Sequence, residues 1–160
     1  MSAILTTGGK APAFKLQSSA GRDVSLQTLK GKKAVLFFYP KDDTSGCTRE
    51  AIDFTALAKN FEKAGAIVLG ISPDSLQKHA KFIEKHGLGV ELLADEDKSM
   101  LEAYGVWAEK SMYGRKYMGV VRTTVLIDEK GKVAQVWEKV KVPGHAENVL
   151  AATMALESER

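Results

Sequence analysis

At 160 residues, 44% of them hydrophobic and 27% charged, the chain is long enough to bury a core without disulfides or metals, and a single domain over 1–160 is expected. No apolar run approaches the ~20 residues that span a bilayer, and the net charge of +3 is scattered rather than gathered in a basic block, which argues against membrane and nucleic-acid partners. The start, "MSAILTTGGKAPAF", lacks a basic segment ahead of an apolar one, and the single cysteine suits a reducing compartment, so a cytoplasmic protein is expected.

Alternation in "AFKLQ" and "DVSLQ", separated by "SSAGR", predicts an N-terminal hairpin turning at Ala20-Gly21. The apolar run "KAVLFFY", Lys33 to Tyr39, stops at Pro40 and predicts a central strand buried on both faces. Ala51, Phe54, Leu57, Ala58, Phe61 and Ala64 recur at spacings of three and four, so an amphipathic helix is expected from Ser45 to about Lys63, ending near Gly65. "AIVLGIS", Ala66 to Ser72, is a second buried strand. Ser72-Pro73-Asp74 then supplies an N-cap, a proline at the first helical position and an acid in the first turn. The helix so started would carry Leu76, Ala80 and Ile83 on its inner face and stop at Gly87. This alternation of strand and helix predicts a parallel strand pair.

"VELLADEDKSMLEAYGV" gives a short strand and a short helix from about Ser99 to Tyr104. "GVVRTTVLIDEKGKVAQVWEKV" reads as a hairpin of Val120 to Ile127 with Lys132 to Glu138, turning at Asp128-Glu129-Lys130-Gly131. A last helix from about His145 to Glu157 would pack Val149, Leu150, Thr153 and Leu156 inward. The sum is α/β: a hairpin, a βαβ unit, a connecting segment and a ββα unit, an order similar to a thioredoxin-like fold with a central mixed sheet. Fold order hosts many chemistries, so function has to come from a site. The three histidines form no ligand-spaced cluster, and His79 and His86 read as surface residues, so neither a metal nor a cofactor is expected.

The candidate site is Cys47. With Thr44 as N-cap, Cys47 is the third residue of its helix, where unpaired N–H groups and the positive end of the dipole favour a thiolate. A lone cysteine is also commonly a small buried hydrophobe. Its neighbours Gly46, Thr48 and Arg49 are small, polar or cationic, unlike the packing positions Leu57 and Phe61 of the same helix. A favoured thiolate alone does little. Lowering a thiol pKa from ~8.5 to ~6 raises the thiolate fraction at pH 7 about 30-fold, but nucleophilicity falls with a slope of ~0.45, leaving about a twofold gain. A fast reaction at Cys47 therefore needs donors aimed at the reacting atoms. Thr44 offers a hydroxyl. Arg122, near the start of a predicted interior strand, offers a guanidinium unless it lies at the exposed strand end, and Arg49 competes for that role.

With Pro40, Thr44, Cys47 and Arg122 in place, the chain resembles the peroxiredoxins. "YPKDDTSGCTRE" matches that family's Pro-x-x-x-Thr/Ser-x-x-Cys motif at Pro40, Thr44 and Cys47, and is similar to its bacterioferritin comigratory, or Q-type, branch. "MYGRKYMGVVRTTVLIDEKGKV" and "KVKVPGHAENVL" agree with the same branch. The resemblance implies that Cys47 is the peroxidatic cysteine, attacking one peroxide oxygen to give a sulfenic acid and water or an alcohol. It implies that Thr44 hydrogen-bonds the peroxide and that Arg122 favours the thiolate and stabilises charge across the O–O bond. Pro40 would shield the site from water, and Glu50 would orient an arginine. There are two departures. Ser45 stands where the branch commonly has proline, and Ile52 and Ile83 stand at or near positions where many relatives carry a resolving cysteine. A one-cysteine cycle is implied, regenerated by an external thiol such as thioredoxin, glutaredoxin or glutathione, in a monomer or weak homodimer. Two rival readings are a redox sensor with little turnover and a thiol-disulfide exchanger, the latter opposed by the missing C-x-x-C pair.

Overall fold

In the computed structural model, which describes residues 5–156, the N-terminal hairpin forms from β1 (Lys15–Ser18) and β2 (Asp23–Ser25) and turns where expected, with Gly21 at φ 78°. Next come β3 (Lys33–Phe38), α1 (Ser45–Ala56), α2 (Ala58–Lys63), β4 (Ala66–Ser72), α3 (Leu76–His86), β5 (Glu91–Ala94) and α4 (Ser99–Ala103). The order closes with β6 (Trp107–Met112), β7 (Arg115–Val120), β8 (Thr123–Ile127), β9 (Val133–Trp137) and α5 (His145–Ala155). One seven-stranded sheet runs in the order β2-β1-β5-β4-β3-β8-β9, while β6 and β7 form a sheet of their own. β3, β4 and β5 are parallel, and β8 is antiparallel to β3.

Both faces of this sheet carry a core, which is why β3 is an unbroken apolar run. Ala34, Leu36 and Phe38 join Leu69, Ile71, Met100 and Tyr104 on one side. Val35, Phe37 and Tyr39 join Cys47, Phe54, Phe61, Phe82 and Val149 on the other, under α1, α2, α3 and α5. Gly70 in β4 admits this packing, since a Cβ there would come within 2.7 Å of Phe37 Cζ and Leu92 Cδ2. Lys33 opens β3 in a buried position, its ammonium donating to the carbonyls of Ala64 (3.2 Å) and Thr153 (3.4 Å), near the C-terminal ends of α2 and α5. A cation is favoured there by both helix dipoles.

The helix expected over 45–63 is divided at Leu57. The Thr55 hydroxyl donates back to Ala51 O (2.7 Å) and accepts from Gly89 N (3.0 Å), a back-bond of the kind that bends helices. α3 is capped by Ser75, whose hydroxyl accepts from Lys78 N, rather than by Ser72. Ser72 remains in β4 opposite Ala94 and donates to the Asp74 carboxylate. The inner face of α3 differs accordingly: His79 and Phe82 are buried, Leu76 and Ile83 are half-buried, and Ala80 is exposed. His79 is thus no surface residue, and His86 is half-buried.

No apolar periodicity announces the β6–β7 hairpin, most of whose side chains are exposed or half-buried. It closes at Tyr113-Gly114 with φ 52° and 78°, as two-residue hairpin turns require. The strand expected from Val120 starts instead at Thr123, because Val120 ends β7 and Val121 N donates to Val106 O. Residues 1–4 of the expected leaderless start and Glu157 of the expected last helix lie outside the described residues. Among the described residues no helix is long and apolar enough to cross a membrane.

Candidate active site

The site begins where β3 runs out. Pro40, half-buried, turns the chain into the loop of residues 41–44, and Asp43 sits in the left-handed region with φ 62°. Three contacts hold this loop. Tyr39 donates its hydroxyl to Asp42 Oδ1 (2.6 Å), Asp42 N donates to Asp74 Oδ2 (2.8 Å), and Asp42 Oδ2 meets His79 Nδ1 at 2.6 Å. The His79 Nε2–H donates to Leu93 O at 2.9 Å, because a carbonyl can only accept. Outside, Asp43 pairs with Lys85 (2.7 Å) and His86 (2.8 Å), which hold its carboxyl below the usual range, His86 contributing most.

Thr44 is the N-cap residue of α1 by backbone geometry, φ −94° and ψ 157°, but its hydroxyl makes no cap bond. It donates instead to Lys41 O at 2.9 Å. Cys47 follows in the first turn as a free thiol, 1% exposed. Antiparallel pairing sets Thr123 beside Phe38, so Arg122 arrives at the C-terminal end of β3, against that first turn. Its Nη2 donates to Cys47 Sγ at 3.2 Å and its Nη1 to Glu50 Oε1 at 2.7 Å. Gly46 leaves room for the approach, since a Cβ there would lie a tight 3.3 Å from Arg122 Nη2. Arg49 is excluded from this role: its side chain is 73% exposed and pairs with Asp53 one turn on.

Glu50 is buried, and Oε2 has no hydrogen-bond partner. Burial pushes its carboxyl up to about 7, an effect that the Arg122 charge opposes without cancelling. His145, at the start of α5, is pushed down to about 4 by burial and then by the charge of Arg122, and its Nε2 is hydrogen-bonded to the Thr124 hydroxyl at 2.7 Å. Lys110 on β6 donates to Val120 O (2.7 Å), and burial followed by the charge of Arg122 lowers its ammonium below the usual range. A cavity of about 550 Å³ lined by Phe61, Ile67, Val90 and Glu91 opens at the N-terminal ends of the parallel strands and contains none of these groups. Among the described residues no group of three or more His, Cys, Asp or Glu could hold a metal ion.

A family model, the AhpC/TSA family, matches residues 7–136. The putative peroxiredoxin Bcp of Coxiella burnetii is 49% identical over 146 residues, which cover 91% of this chain and 97% of the relative. Peroxiredoxin Q of Xanthomonas campestris superposes with a TM-score of 0.86 at 42% identity, covering 97% of this chain and 98% of that one. The chain belongs to the AhpC/TSA family, as a peroxiredoxin of the Bcp, or Q-type, branch. A structure of the Xanthomonas campestris bacterioferritin comigratory protein, described for its alkyl peroxide reduction activity, has a TM-score of 0.85 at 44% identity over 89% of this chain and 90% of that one.

In this peroxiredoxin Arg122 joins Cys47 to Glu50, while Thr44 stands exposed at the N-cap with its hydroxyl on Lys41 O and Pro40 at the entry to the loop. Sequence periodicity missed Asp42, His79, Lys110 and His145. The buried Asp42–His79 contact had one visible signal, an acid directly after the strand-ending Pro40-Lys41, but nothing in the spacing of α3 named its partner.

Proposed function

We propose that this peroxiredoxin reduces hydrogen peroxide or organic hydroperoxides through Cys47, with Thr44 and Arg122 as the groups that meet the peroxide and an external thiol as reductant. The observation that carries the reading is the Arg122 guanidinium, whose two terminal nitrogens reach Cys47 Sγ and Glu50 Oε1. A cation fixed on the sulfur stabilises the thiolate and the charge that develops on the oxygens during attack, so it acts on the chemical step. The thiolate forms an S–O bond as the O–O bond breaks. Sulfur loses two electrons, and the leaving oxygen departs with a proton as water or alcohol. The hydrogen of the Thr44 hydroxyl is committed to Lys41 O, which leaves its oxygen lone pairs to accept from the peroxide O–H. Pro40 closes the loop side of the site against water, and Glu50 holds Arg122 in place.

With one cysteine in the chain, the sulfenic acid meets no second thiol of its own. Thioredoxin, glutaredoxin or glutathione would reduce it through a mixed disulfide, in a cytoplasmic monomer or weak homodimer. Mass spectrometry after one equivalent of peroxide should find one added oxygen, or the reductant, on Cys47, and excess peroxide should drive it to sulfinic and sulfonic acids. Cys47→Ser should abolish multiple-turnover peroxide consumption, and Arg122→Met should slow Cys47 oxidation about 100-fold. Undiminished consumption by Cys47→Ser would exclude the reading.

A further inference from the structure

Arg122 grips two acids at once, with one positive charge to share between them. We propose that Cys47 and Glu50 titrate as a single unit holding one negative charge against the Arg122 guanidinium, so that Glu50 carries a proton while Cys47 is a thiolate and releases it when Cys47 is oxidised. This rests on the assignment of Cys47 as the peroxidatic thiol.

The geometry sets the charge count. Cys47 and Glu50 are each 1% exposed, and one guanidinium bonds both, at 3.2 Å and 2.7 Å. A thiolate and a carboxylate together would put two buried anions on the one guanidinium that bonds them, with the Oε2 side of the carboxylate unpartnered and unsolvated. One anion and one cation balance. Burial supports the protonated state of Glu50 by holding it near neutral pH, at about 7.

Among the described residues no cation other than Arg122 is hydrogen-bonded to Cys47 or Glu50. Asp53 adds a further negative charge near Glu50 but is paired with Arg49 at 3.2 Å. From β6, the Lys110 ammonium senses the charges of Arg122 and Cys47 but bonds neither acid, donating instead to Val120 O, so its charge favours the sulfur and not the Glu50 carboxylate as the site's anion. From α5, His145 faces Arg122 in its neutral form, bonded to Thr124.

The reaction then closes with no net uptake of a proton from solvent. Cys47 thiolate and protonated Glu50 react with ROOH to give Cys47 sulfenic acid, Glu50 carboxylate and ROH: one S–O bond forms, one O–O bond breaks, and the proton lost by Glu50 balances the one gained by the leaving oxygen. Arg122, no longer facing a sulfur anion, then belongs to Glu50 alone. Glu50 acts here through Arg122, as a positioning and charge-compensating residue.

The test counts protons. Wild type, Glu50→Gln and Glu50→Asp are mixed with one equivalent of hydrogen peroxide near pH 7 in weak buffer with a pH indicator, and the thiolate fraction is read from its ultraviolet absorbance at the same pH. If the two groups are independent, proton uptake per sulfenic acid equals the thiolate fraction. The proposal expects wild type to take up roughly half that or less, because coupled sites share their protons, while Glu50→Gln takes up the full thiolate fraction and Glu50→Asp stays below it. The thiolate absorbance of wild type should also rise over a wider pH range than one proton allows, and that of Glu50→Gln over a one-proton range. Equal uptake and equal curve shapes in wild type and Glu50→Gln would overturn the proposal and leave the peroxidase reading standing. If Glu50→Gln does not fold, the wild-type count decides alone, with uptake equal to the thiolate fraction overturning it. A wild type that forms no sulfenic acid on Cys47 overturns the peroxidase reading and the proposal together.

Discussion

Glu50 and His145 face Arg122 from opposite sides of one charge balance, and their effects on stability have opposite signs. Glu50 stands at about 7 in the folded chain against an ordinary 4.5, so between those values the folded state keeps a proton that the unfolded chain has lost. Stability contributed this way falls as pH rises through that window. His145 stands at about 4 against an ordinary 6.5, so over that interval the unfolded chain binds a proton that the folded state refuses, and stability rises with pH. The windows overlap, and in wild type the two slopes mask each other. Relative to wild type, Glu50→Gln should therefore gain stability as pH rises from about 5 to about 6, and His145→Asn should lose it, each by up to about 1.4 kcal/mol per pH unit. Urea unfolding at the two pH values measures both, and parallel behaviour of all three proteins would contradict the opposed burial of these groups.

The loop ahead of α1 is set by α3, and this is where the sequence was least informative. The Pro40, Thr44 and Cys47 spacing is legible because it lies within one strand–helix junction, where β3 fixes the start and backbone capping fixes the first turn. Arg122 is legible only as a candidate, since its partner Cys47 lies 75 residues away and strand pairing alone brings them together. α3 offers two faces at helical spacing, Leu76-Ala80-Ile83 and His79-Phe82-His86, and apolar content favours the wrong one. The histidine face is the inner one because Asp42 and Leu93 O satisfy both His79 ring nitrogens inside the core. His79→Leu would keep the volume roughly and leave the Asp42 carboxylate buried without that partner, so we expect a loss of about 3–5 kcal/mol. Tyr39→Phe removes one hydrogen bond from the same carboxylate and should cost less, about 1–3 kcal/mol. Urea midpoints should fall in that order; a His79→Leu protein as stable as wild type would show that Asp42 is not held by this contact.

Across the molecule, the parallel strands deliver their C-terminal ends to one edge, where open α/β sheets place their sites, and α1 starts there with the Cys47 sulfur already folded against Arg122. In the proposed cycle peroxide is reduced without unwinding that helix. The alternative architecture can be built into this chain. Ile52 lies five residues after Cys47 in α1 and is 39% exposed, whereas Cys47 is 1% exposed, so the two side chains leave the helix in different directions. Five residues of α-helix rise ~7.5 Å, beyond the ~4.4–6.8 Å between the Cα atoms of a disulfide. Ile52→Cys should therefore form an intramolecular disulfide after one equivalent of peroxide only by unwinding α1. It should lose the circular dichroism of about two helical turns, roughly seven residues, and recover it on reduction. Wild type oxidised to the sulfenic acid should keep its helical signal unchanged. A disulfide in Ile52→Cys with no loss of helix, or helix loss in oxidised wild type, would mean that α1 does not hold Cys47 through the chemical step as this fold implies.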